Sequence, residues 1–262
     1  MIEYALITGA SSGIGMELAR IAASNNMNLI LLARNSDKLM QLRTELEELY
    51  KIKVLAVGCD LADPDSVEKI KSLLHGRSIV PDILINNAGF GMYGPFERIG
   101  TETEESMIQL NIVSLTGLTK IIYRQMRTRG KGKILNVSSI AGFMPGPWMA
   151  AYHATKAYVL SLSEALAVEA KGSGVTVTAL CPGPTESNFE NRASTGTGIK
   201  AFKKFGKLPT AVQVAKFGWE SMMQGKTVAI HGRKFRWLIF FTLFMPRKTV
   251  ANITGKMQMP VK

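Results

Sequence analysis

Residues 8–15, T-G-A-S-S-G-I-G, decide the fold that this sequence predicts. They follow an apolar run at residues 4–8 that is typical of a strand. They also open a segment, residues 13–25, whose apolar side chains recur at helical spacing. Glycines permit a tight turn there and let backbone N–H groups approach a pyrophosphate, to which a helix amino terminus adds its positive end. The spacing G-x-x-x-G-x-G is weak alone, but its position between a strand and a helix indicates a dinucleotide-binding loop.

Strands and helices alternate through the rest of the chain. A polar-faced helix is predicted over residues 36–49, and short apolar strands are predicted at residues 28–33, 53–59, 82–86, 133–137 and 175–180. Strands this apolar are buried on both faces, as in a parallel sheet. The alternation therefore predicts an α/β fold with a doubly wound parallel sheet, the Rossmann fold. No linker-like tract divides the 262 residues, which predicts a single domain over residues 1–262.

Composition excludes several kinds of site. The two cysteines and three scattered histidines lack the spacing of a disulfide scaffold or a metal site, so no metal is expected. The net charge of +12 is not accompanied by a zinc-finger spacing, a basic zipper or an aromatic-basic tract, so nucleic acid is not expected either. Neither a secretory signal nor a bilayer-spanning apolar stretch is found in the sequence, which predicts a cytoplasmic protein.

A tyrosine and a lysine provide the candidate chemistry. Tyr152 and Lys156 are four residues apart, so on a helix the phenol and the ammonium lie on one face. A phenol pKa of about 10 is too high for efficient proton exchange at neutral pH, and nearby positive charge is expected to lower it. Upstream, a strand runs into Ser138 and Ser139. Asn111 lies inside a long predicted helix, where asparagine is unfavourable unless its side chain is compensated.

These motifs, together with N-N-A-G at residues 86–89, resemble the short-chain dehydrogenase/reductase family in content and in order, over about residues 3 to 190. The resemblance implies an oxidoreductase in which Tyr152 donates the proton to a carbonyl and Lys156 assists it. It also implies that Ser139 orients the carbonyl and that Asn111 holds a water that joins Lys156 to solvent. Ser139 precedes Tyr152 by 13 residues, the usual family separation, which favours Ser139 over Ser138.

The end of the second strand indicates which nicotinamide cofactor is used. An NAD enzyme usually has Asp or Glu there to bind the adenosine ribose. This chain has Ala33 and then Arg34, whose guanidinium can pair with a 2′-phosphate, and Ser11 and Lys38 are further candidates. NADP(H) is therefore predicted.

The predicted cofactor contacts come from the loops that follow the strands. For Asp60, capping of the next helix is an alternative, and for Asn87, a structural tie between strand ends is at least as good an interpretation. The nicotinamide carboxamide is assigned to Thr185 or Ser187. The full set is Gly9, Ser11, Ser12, Gly13, Ile14, Gly15, Arg34, Asp60, Leu61, Asn87, Ala88, Gly89, Tyr152, Lys156, Pro182, Gly183 and Thr185.

The carboxyl-terminal third is predicted to close the site. Residues 188–208 are predicted to form a loop and short helix that cover the substrate, with an apolar pocket from Phe143, Met144, Trp148, Phe189 and Phe202. Residues 233–262 form a basic and apolar tail. Two interpretations of the tail stay open: docking on the pocket or on a partner subunit, and peripheral contact with a membrane surface.

The leading hypothesis is an NADPH-dependent carbonyl reductase that transfers a hydride between nicotinamide and a carbonyl or secondary alcohol, with an apolar small-molecule substrate. One alternative is a 3-ketoacyl-thioester reductase and another is a non-catalytic NADPH-binding protein. The family resemblance implies a homodimer through helices around residues 103–128 and 151–171. The tail departs from the glycine-rich terminal strand that is typical of the tetrameric acyl-carrier-protein reductases.

Overall fold

Short apolar runs form a parallel sheet at the centre of the protein. The computed structural model describes residues 3–186 and 208–259. Within them the strands are β1 (Tyr4–Thr8), β2 (Asn28–Ala33), β3 (Val54–Gly58), β4 (Ile83–Asn86), β5 (Gly132–Val137), β6 (Val175–Cys181) and β7 (Val228–Ile230). They pair in the order β3-β2-β1-β4-β5-β6-β7, every pair parallel. The predicted doubly wound α/β sheet is confirmed.

Helices cover both faces of this sheet and one end of it. They are α1 (Gly13–Ser24), α2 (Ser36–Tyr50), α3 (Ser66–Gly76), α4 (Thr101–Ile108), α5 (Leu115–Arg129), α6 (Ala150–Glu169), α7 (Ala211–Met223), α8 (Arg233–Thr242) and α9 (Arg247–Gln258). No helix in the described ranges is long and apolar enough to cross a lipid bilayer.

Alternate side chains of each strand enter opposite cores because successive residues of a strand point to opposite faces. In β1, Ile7 belongs to the core that includes residues of α1, α2 and α7. Its neighbour Leu6 belongs to the core that includes residues of α3 and α5. All six residues of β2 are buried. Burial on both faces explains why the strands are continuous apolar runs in the sequence.

The strand order reverses at β1, which pairs with β2 on one side and with β4 on the other. The connections to the two neighbours therefore leave in opposite directions and open a crevice beyond the carboxyl ends of these strands, where such sheets bind ligands. The predicted cofactor loop begins at this point.

The predicted element boundaries agree with the structure within one or two residues. One strand, β7, was not predicted, since its three residues are too short for a periodic signal. The predicted cover over residues 188–208 lies outside the described residues, apart from Leu208.

Candidate active site

Two glycines shape the loop after β1. Gly9 has a φ of +67°, a left-handed conformation that favours glycine. A Cβ on Gly15 would overlap the carbonyl oxygen of Gly9, so α1 can pack this closely only without a side chain at that position. Gly15 is therefore a packing residue of the loop, whereas Gly9 and the residues from Ser11 to Ile14 line the cleft described below.

A set of hydrogen bonds joins the ends of β1 and β4. Thr8 Oγ1 accepts hydrogen bonds from the backbone N–H groups of Asn87 and Ala88, each at 2.9 Å. The side-chain amide of Asn87 donates to the carbonyls of Thr8 at 3.0 Å and Gly9 at 3.2 Å. Asn87 thus has the structural role that was the alternative to direct binding, although it also borders the cleft.

A cleft of about 490 Å³ lies along the carboxyl edge of the sheet. It contains Ser139, Tyr152 and Lys156 together with the predicted cofactor residues other than Gly15. Segments far apart in the chain are therefore brought together as the sequence motifs predicted. Those lining residues are Gly9, Ser11, Ser12, Gly13, Ile14, Arg34, Asp60, Leu61, Asn87, Ala88, Gly89, Pro182, Gly183 and Thr185.

The end of β2 presents a cation to this cleft. Arg34 is exposed and borders the cleft beside the buried Ala33. Among the described residues no carboxylate forms an ion pair with the Arg34 guanidinium. Asp60, at the end of β3, does not cap α3, which begins only at Ser66; its carboxylate accepts a hydrogen bond from the Ala62 N–H at 3.0 Å.

Tyr152 lies in the first turn of α6 and is 9% exposed. Burial raises the pKa of its phenol to about 12, and a hydrogen bond with the Ser139 side chain lowers that pKa only in part. Loss of water around the phenolate thus acts against the lowering of this pKa that positive charge from Lys156 and an oxidised nicotinamide is predicted to cause. Tyr152 consequently keeps its proton at neutral pH, as a proton donor must.

Lys156 lies one helical turn beyond Tyr152 on the same face, with its Nζ 5.7 Å from the centre of the phenol ring. This ammonium donates a hydrogen bond to the backbone carbonyl of Val137 at 2.9 Å. Burial lowers the pKa of Lys156 to about 8, since few waters remain to stabilise the charged form. The lysine thus holds a charge at neutral pH that it loses under mildly alkaline conditions.

Asn111 is buried and lies where the helix between α4 and α5 widens into a π-helical segment, Gln109–Ser114. Its amide nitrogen donates to the Phe90 carbonyl at 2.9 Å and to Thr155 Oγ1 at 3.1 Å, and its amide oxygen accepts from the Phe90 N–H at 3.2 Å. These bonds compensate an asparagine inside a helix, and π segments are frequent at functional sites. A Cβ built on Gly89 would lie 3.0 Å from Asn111 Oδ1 and 3.4 Å from Lys156 Nζ, so both polar groups lie beside this glycine.

The two serines after β5 point in different directions. Ser138 is buried and its hydroxyl donates to the Lys156 carbonyl at 2.8 Å, which attaches β5 to α6. Ser139 accepts a hydrogen bond from the Ala141 N–H at 3.1 Å and is bonded to Tyr152. The geometry therefore agrees with the choice of Ser139 over Ser138.

Another wall of the cleft comes from α8, α9 and the turn between them, and we call this segment the helical wall. Sequence reasoning did not assign individual residues there. The helical wall contributes Leu238, Phe241, Thr242, Met245, Val250, Ile253, Thr254, Met257 and Gln258 to the lining. Mostly apolar side chains therefore line this part of the cleft.

Contacts next to Tyr152 hold the end of α9. His153 Nδ1 lies 2.8 Å from the Met144 carbonyl and carries the proton for that bond, which leaves Nε2 to accept from the Gln258 amide at 3.1 Å. Tyr93 donates its hydroxyl proton to the Gln258 carbonyl. These contacts give His153 a structural role.

The predicted apolar pocket residues have different locations. Met144 lines the cleft, whereas Phe143 packs against the cluster of Leu160, Ala179 and Cys181. Trp148, with a φ of +71°, is not part of the lining either. Phe189, Phe202 and the alternative amide partner Ser187 lie outside the described residues. Phe90 and Met149, which no motif marked, line the cleft as well.

Comparison with known proteins agrees with this geometry. A profile of the family described as short chain dehydrogenase matches residues 3–197. The human very-long-chain 3-oxoacyl-CoA reductase is 35% identical over 184 residues, which cover 69% of this chain and 58% of that protein. The mouse 17-beta-hydroxysteroid dehydrogenase type 3 is also 35% identical, over 70% of this chain and 60% of its own length. The chain thus spans less than two thirds of the length of these curated relatives.

Solved structures match almost the whole chain. A short-chain dehydrogenase from Sphingobium yanoikuyae, determined in complex with NADPH, superposes with a TM-score of 0.82 at 30% identity and covers 93% of this chain and 94% of its own. The bulky-bulky ketone specific alcohol dehydrogenase from Comamonas testosteroni superposes with a TM-score of 0.78 at 29% identity, over 93% and 92% of the two chains. With its sheet topology, its sequence motifs and these similarities, the chain belongs to the short-chain dehydrogenase family.

Proposed function

We propose that this chain is an NADP(H)-dependent oxidoreductase that interconverts a carbonyl and a secondary alcohol on a small apolar substrate. The observation that carries the proposal is the meeting of Tyr152, Ser139 and Lys156 in the same cleft as the glycine loop and Arg34. Family membership and the NADPH-bound relative from Sphingobium yanoikuyae support it.

The described residues fit a phosphorylated dinucleotide. Gly9 and Gly15 leave the loop without side chains where close backbone approach is needed, and the residues from Ser11 to Ile14 would hold the pyrophosphate at the start of α1. Arg34 would pair with the 2′-phosphate, since no carboxylate among the described residues neutralises it. When bound, NADPH supplies the hydride.

The chain's own residues supply the proton and hold the carbonyl. Tyr152 donates its hydroxyl proton to the oxygen that becomes the alcohol, and its raised pKa keeps that proton available up to alkaline pH. Ser139 donates a hydrogen bond that stabilises the developing charge on the same oxygen. The positive charge of Lys156 stabilises the phenolate that remains. Asn111, which lies beside Gly89 as Lys156 does, holds a water that joins Lys156 to solvent, and the proton is replaced through that water.

A spectrophotometric panel tests this function. The full chain is incubated with NADPH and a series of aldehydes and ketones, from small and soluble to bulky and apolar, and loss of nicotinamide absorbance is followed. We expect turnover with bulky apolar ketones and a clear preference for NADPH over NADH. Turnover with NADH alone would contradict the cofactor assignment, and no turnover of any carbonyl in the presence of tightly bound NADPH would favour the non-catalytic alternative.

A 3-oxoacyl thioester is the second candidate substrate. The names of the human and bovine relatives, very-long-chain 3-oxoacyl-CoA reductase, favour it, and the basic surface of residues 233–248 suits the phosphates of coenzyme A. Adding 3-oxoacyl-CoA substrates of increasing chain length to the same panel decides between the two. A kcat/KM for the thioesters well above that for every simple ketone would make the thioester the substrate class.

Dimerisation is proposed through the long helices, around residues 103–128 and 151–171. Several apolar side chains there are exposed, notably Ile108, Val113, Tyr158 and Val168. Burial of such a patch is a normal driving force for homodimers. Sedimentation equilibrium of the full chain tests this; a monomer at micromolar concentration would contradict it. A cytoplasmic location remains a proposal from the sequence.

A further inference from the structure

The strongest surface feature outside the cleft is the side of the helical wall that faces away from the sheet. Its exposed apolar residues are Trp237, Phe240, Phe241, Leu243 and Phe244, and we call them the outer apolar face. Their exposures run from 47% for Phe240 to 74% for Phe244. Neighbouring rings contact one another, with centroids of Phe240 and Phe244 5.2 Å apart. Contiguous exposed apolar patches of this kind mark an interaction surface.

The opposite side of the same helices is anchored to the protein. Ile239 and Val250 are buried, and a Cβ on Gly183 would overlap the ring of Phe235. Of the two interpretations of the tail, docking on the pocket thus describes how residues 233–259 lie in the structure. Docking accounts for one side of α8 and leaves the outer apolar face without a function.

Charge around this face identifies the partner. Arg233, Lys234 and Arg236 lie in the first turn of α8, Arg247 and Lys248 begin α9, and all five are exposed. Beyond Glu220 the sequence contains no acidic residue. A symmetric contact between two copies would bring these cations together without carboxylates to neutralise them, which is unfavourable. A surface of phosphate headgroups with apolar chains beneath complements both properties.

The outer apolar face is also continuous with the cleft. Phe241 is 59% exposed and lines the cleft, and Met257 and Ile253 are 38% and 43% exposed and line it from α9. The rim of the cleft is thus formed by side chains that are partly on the outer surface. Apolar side chains therefore extend from the outer apolar face to the cleft along α8 and α9.

We propose that the helical wall lies on an anionic lipid bilayer, with the outer apolar face inserted among the headgroups, and that apolar substrate passes between bilayer and cleft along this rim. The membrane-binding part of the proposal depends only on the exposed surface of the helical wall. The exchange half rests on the proposed oxidoreductase function.

Vesicle flotation with the full chain tests docking. Wild-type protein is mixed with vesicles of phosphatidylcholine alone or of an equal mixture of phosphatidylcholine and phosphatidylglycerol. We expect binding to the mixed vesicles that weakens at high salt. The double variant Trp237→Ser/Phe244→Ser should bind at least about tenfold more weakly because two large apolar side chains no longer insert. Leu49→Ser, which removes an equally exposed apolar side chain from α2, is the matched control and should bind like wild type.

The charge requirement is tested separately. Arg247→Gln/Lys248→Gln should weaken binding to the anionic vesicles by about fivefold for each charge removed, whereas Lys120→Gln/Lys216→Gln, on α5 and α7, should not. Equal binding of wild type and both aromatic and charge variants would overturn the proposal. So would a self-association that the Trp237→Ser/Phe244→Ser change abolishes while vesicles are not bound, because the face would then be an interface between copies.

Substrate exchange is tested by presenting ketones in two ways. Neither Trp237 nor Phe244 lines the cleft, so their double variant should reduce a water-soluble ketone as wild type does. It should reduce a long-chain ketone dissolved in mixed vesicles about tenfold more slowly, since the enzyme no longer stays at the surface. Equal rates on the vesicle-borne ketone would overturn the exchange step. Vesicle binding without reduction of any ketone or 3-oxoacyl thioester would instead refute the oxidoreductase function and leave membrane binding intact.

Discussion

The two walls of the cleft are secured in different ways. One wall, which we call the strand-end wall, is formed at the carboxyl ends of the strands and is held by buried polar contacts. Asn86 Nδ2 donates hydrogen bonds to Thr119 and to Asn136, each at 2.9 Å, and Asn136 donates in turn to Ser163 at 2.9 Å. The helical wall is held mainly by the apolar contacts of its buried side, which includes Ile239 and Val250, and by the hydrogen bonds of Gln258. Directional bonds inside a protein hold a fixed geometry, whereas apolar contacts tolerate exchange of side chains.

The difference assigns the proposed chemistry and the substrate preference to separate walls. Proton transfer requires a hydroxyl within hydrogen-bond reach of one oxygen, and the strand-end wall provides that positional accuracy. An apolar substrate is recognised by shape and area, which the helical wall can supply with Leu238, Met245 and Met257. Mutations in the two walls should therefore have separable effects on kcat and on substrate choice.

The largest expected effect is at Tyr152. Tyr152→Phe should lower kcat by about 10²–10⁴-fold because the proton donor is removed while the ring still packs. Steady-state kinetics with saturating NADPH measure this, and fluorescence titration should find NADPH binding nearly unchanged. The matched control is Tyr158→Phe, six positions along the same helix, which should leave kcat within about twofold. Equal losses in the two variants would mean that the strand-end wall does not carry the chemistry.

Arg34 should have the next largest effect. Arg34→Ala should raise KM for NADPH about 10–100-fold, as expected for loss of a charge-assisted contact, and should leave KM for NADH nearly unchanged. Arg124→Ala, an exposed arginine on α5, is the control. A similar rise of KM for both cofactors would show that Arg34 stabilises the local structure after β2 and does not pair with a 2′-phosphate.

The pH dependence of reduction should be governed by Lys156. Its ammonium is present below a pKa of about 8 and is lost as the pH rises through it, whereas the pKa of Tyr152 is raised to about 12. We therefore expect kcat for reduction to be constant at neutral pH and to decline above pH 8, by up to about tenfold per unit. A pH–rate profile that stays level to pH 10 would contradict the assignment of this role to Lys156.

The smallest effect is predicted for the helical wall. Met257→Ala enlarges the cleft opposite Tyr152, and it should shift kcat/KM between bulky and small ketones by up to about tenfold, the range usual for apolar contacts. The kcat for a small ketone should stay the same. A drop of kcat for every ketone tested would show that the two walls are coupled and that their roles cannot be separated.

Much of the site was predictable because local patterns encode it. Tyr152 and Lys156 are one helical turn apart, so helix geometry alone places them on one face. The loop at residues 8–15 combines a strand, glycines and a helix start, and a parallel sheet brings its carboxyl ends together. The role of Ser138 was not readable in the same way, because its contact with the Lys156 carbonyl depends on how β5 packs on α6.

The pKa of Tyr152 shows where local reasoning leaves out a large contribution, the burial of the phenol. A neighbouring lysine predicts a lowered value, but the extent of burial is a property of the whole cleft, to which α6, β5 and the helical wall all contribute. Desolvation dominates in such a site. Asn111 is an intermediate case: its unfavourable place in a helix was visible, but its partners Phe90 and Thr155 were not.

The sequence by itself determined the sheet and the cofactor loop, because each depends on spacing within one strand, loop or helix, and its motifs together indicated the proposed catalytic residues through a family resemblance. Only the tertiary structure decided what residues 233–258 do. Every residue from Phe235 to Phe241 except Arg236 is apolar, so the helical periodicity of the sequence does not indicate which face is buried. The contact of Phe235 with Gly183 selects the buried side of α8, contacts with Pro147 and His153 hold α9, and the outer apolar face stays exposed.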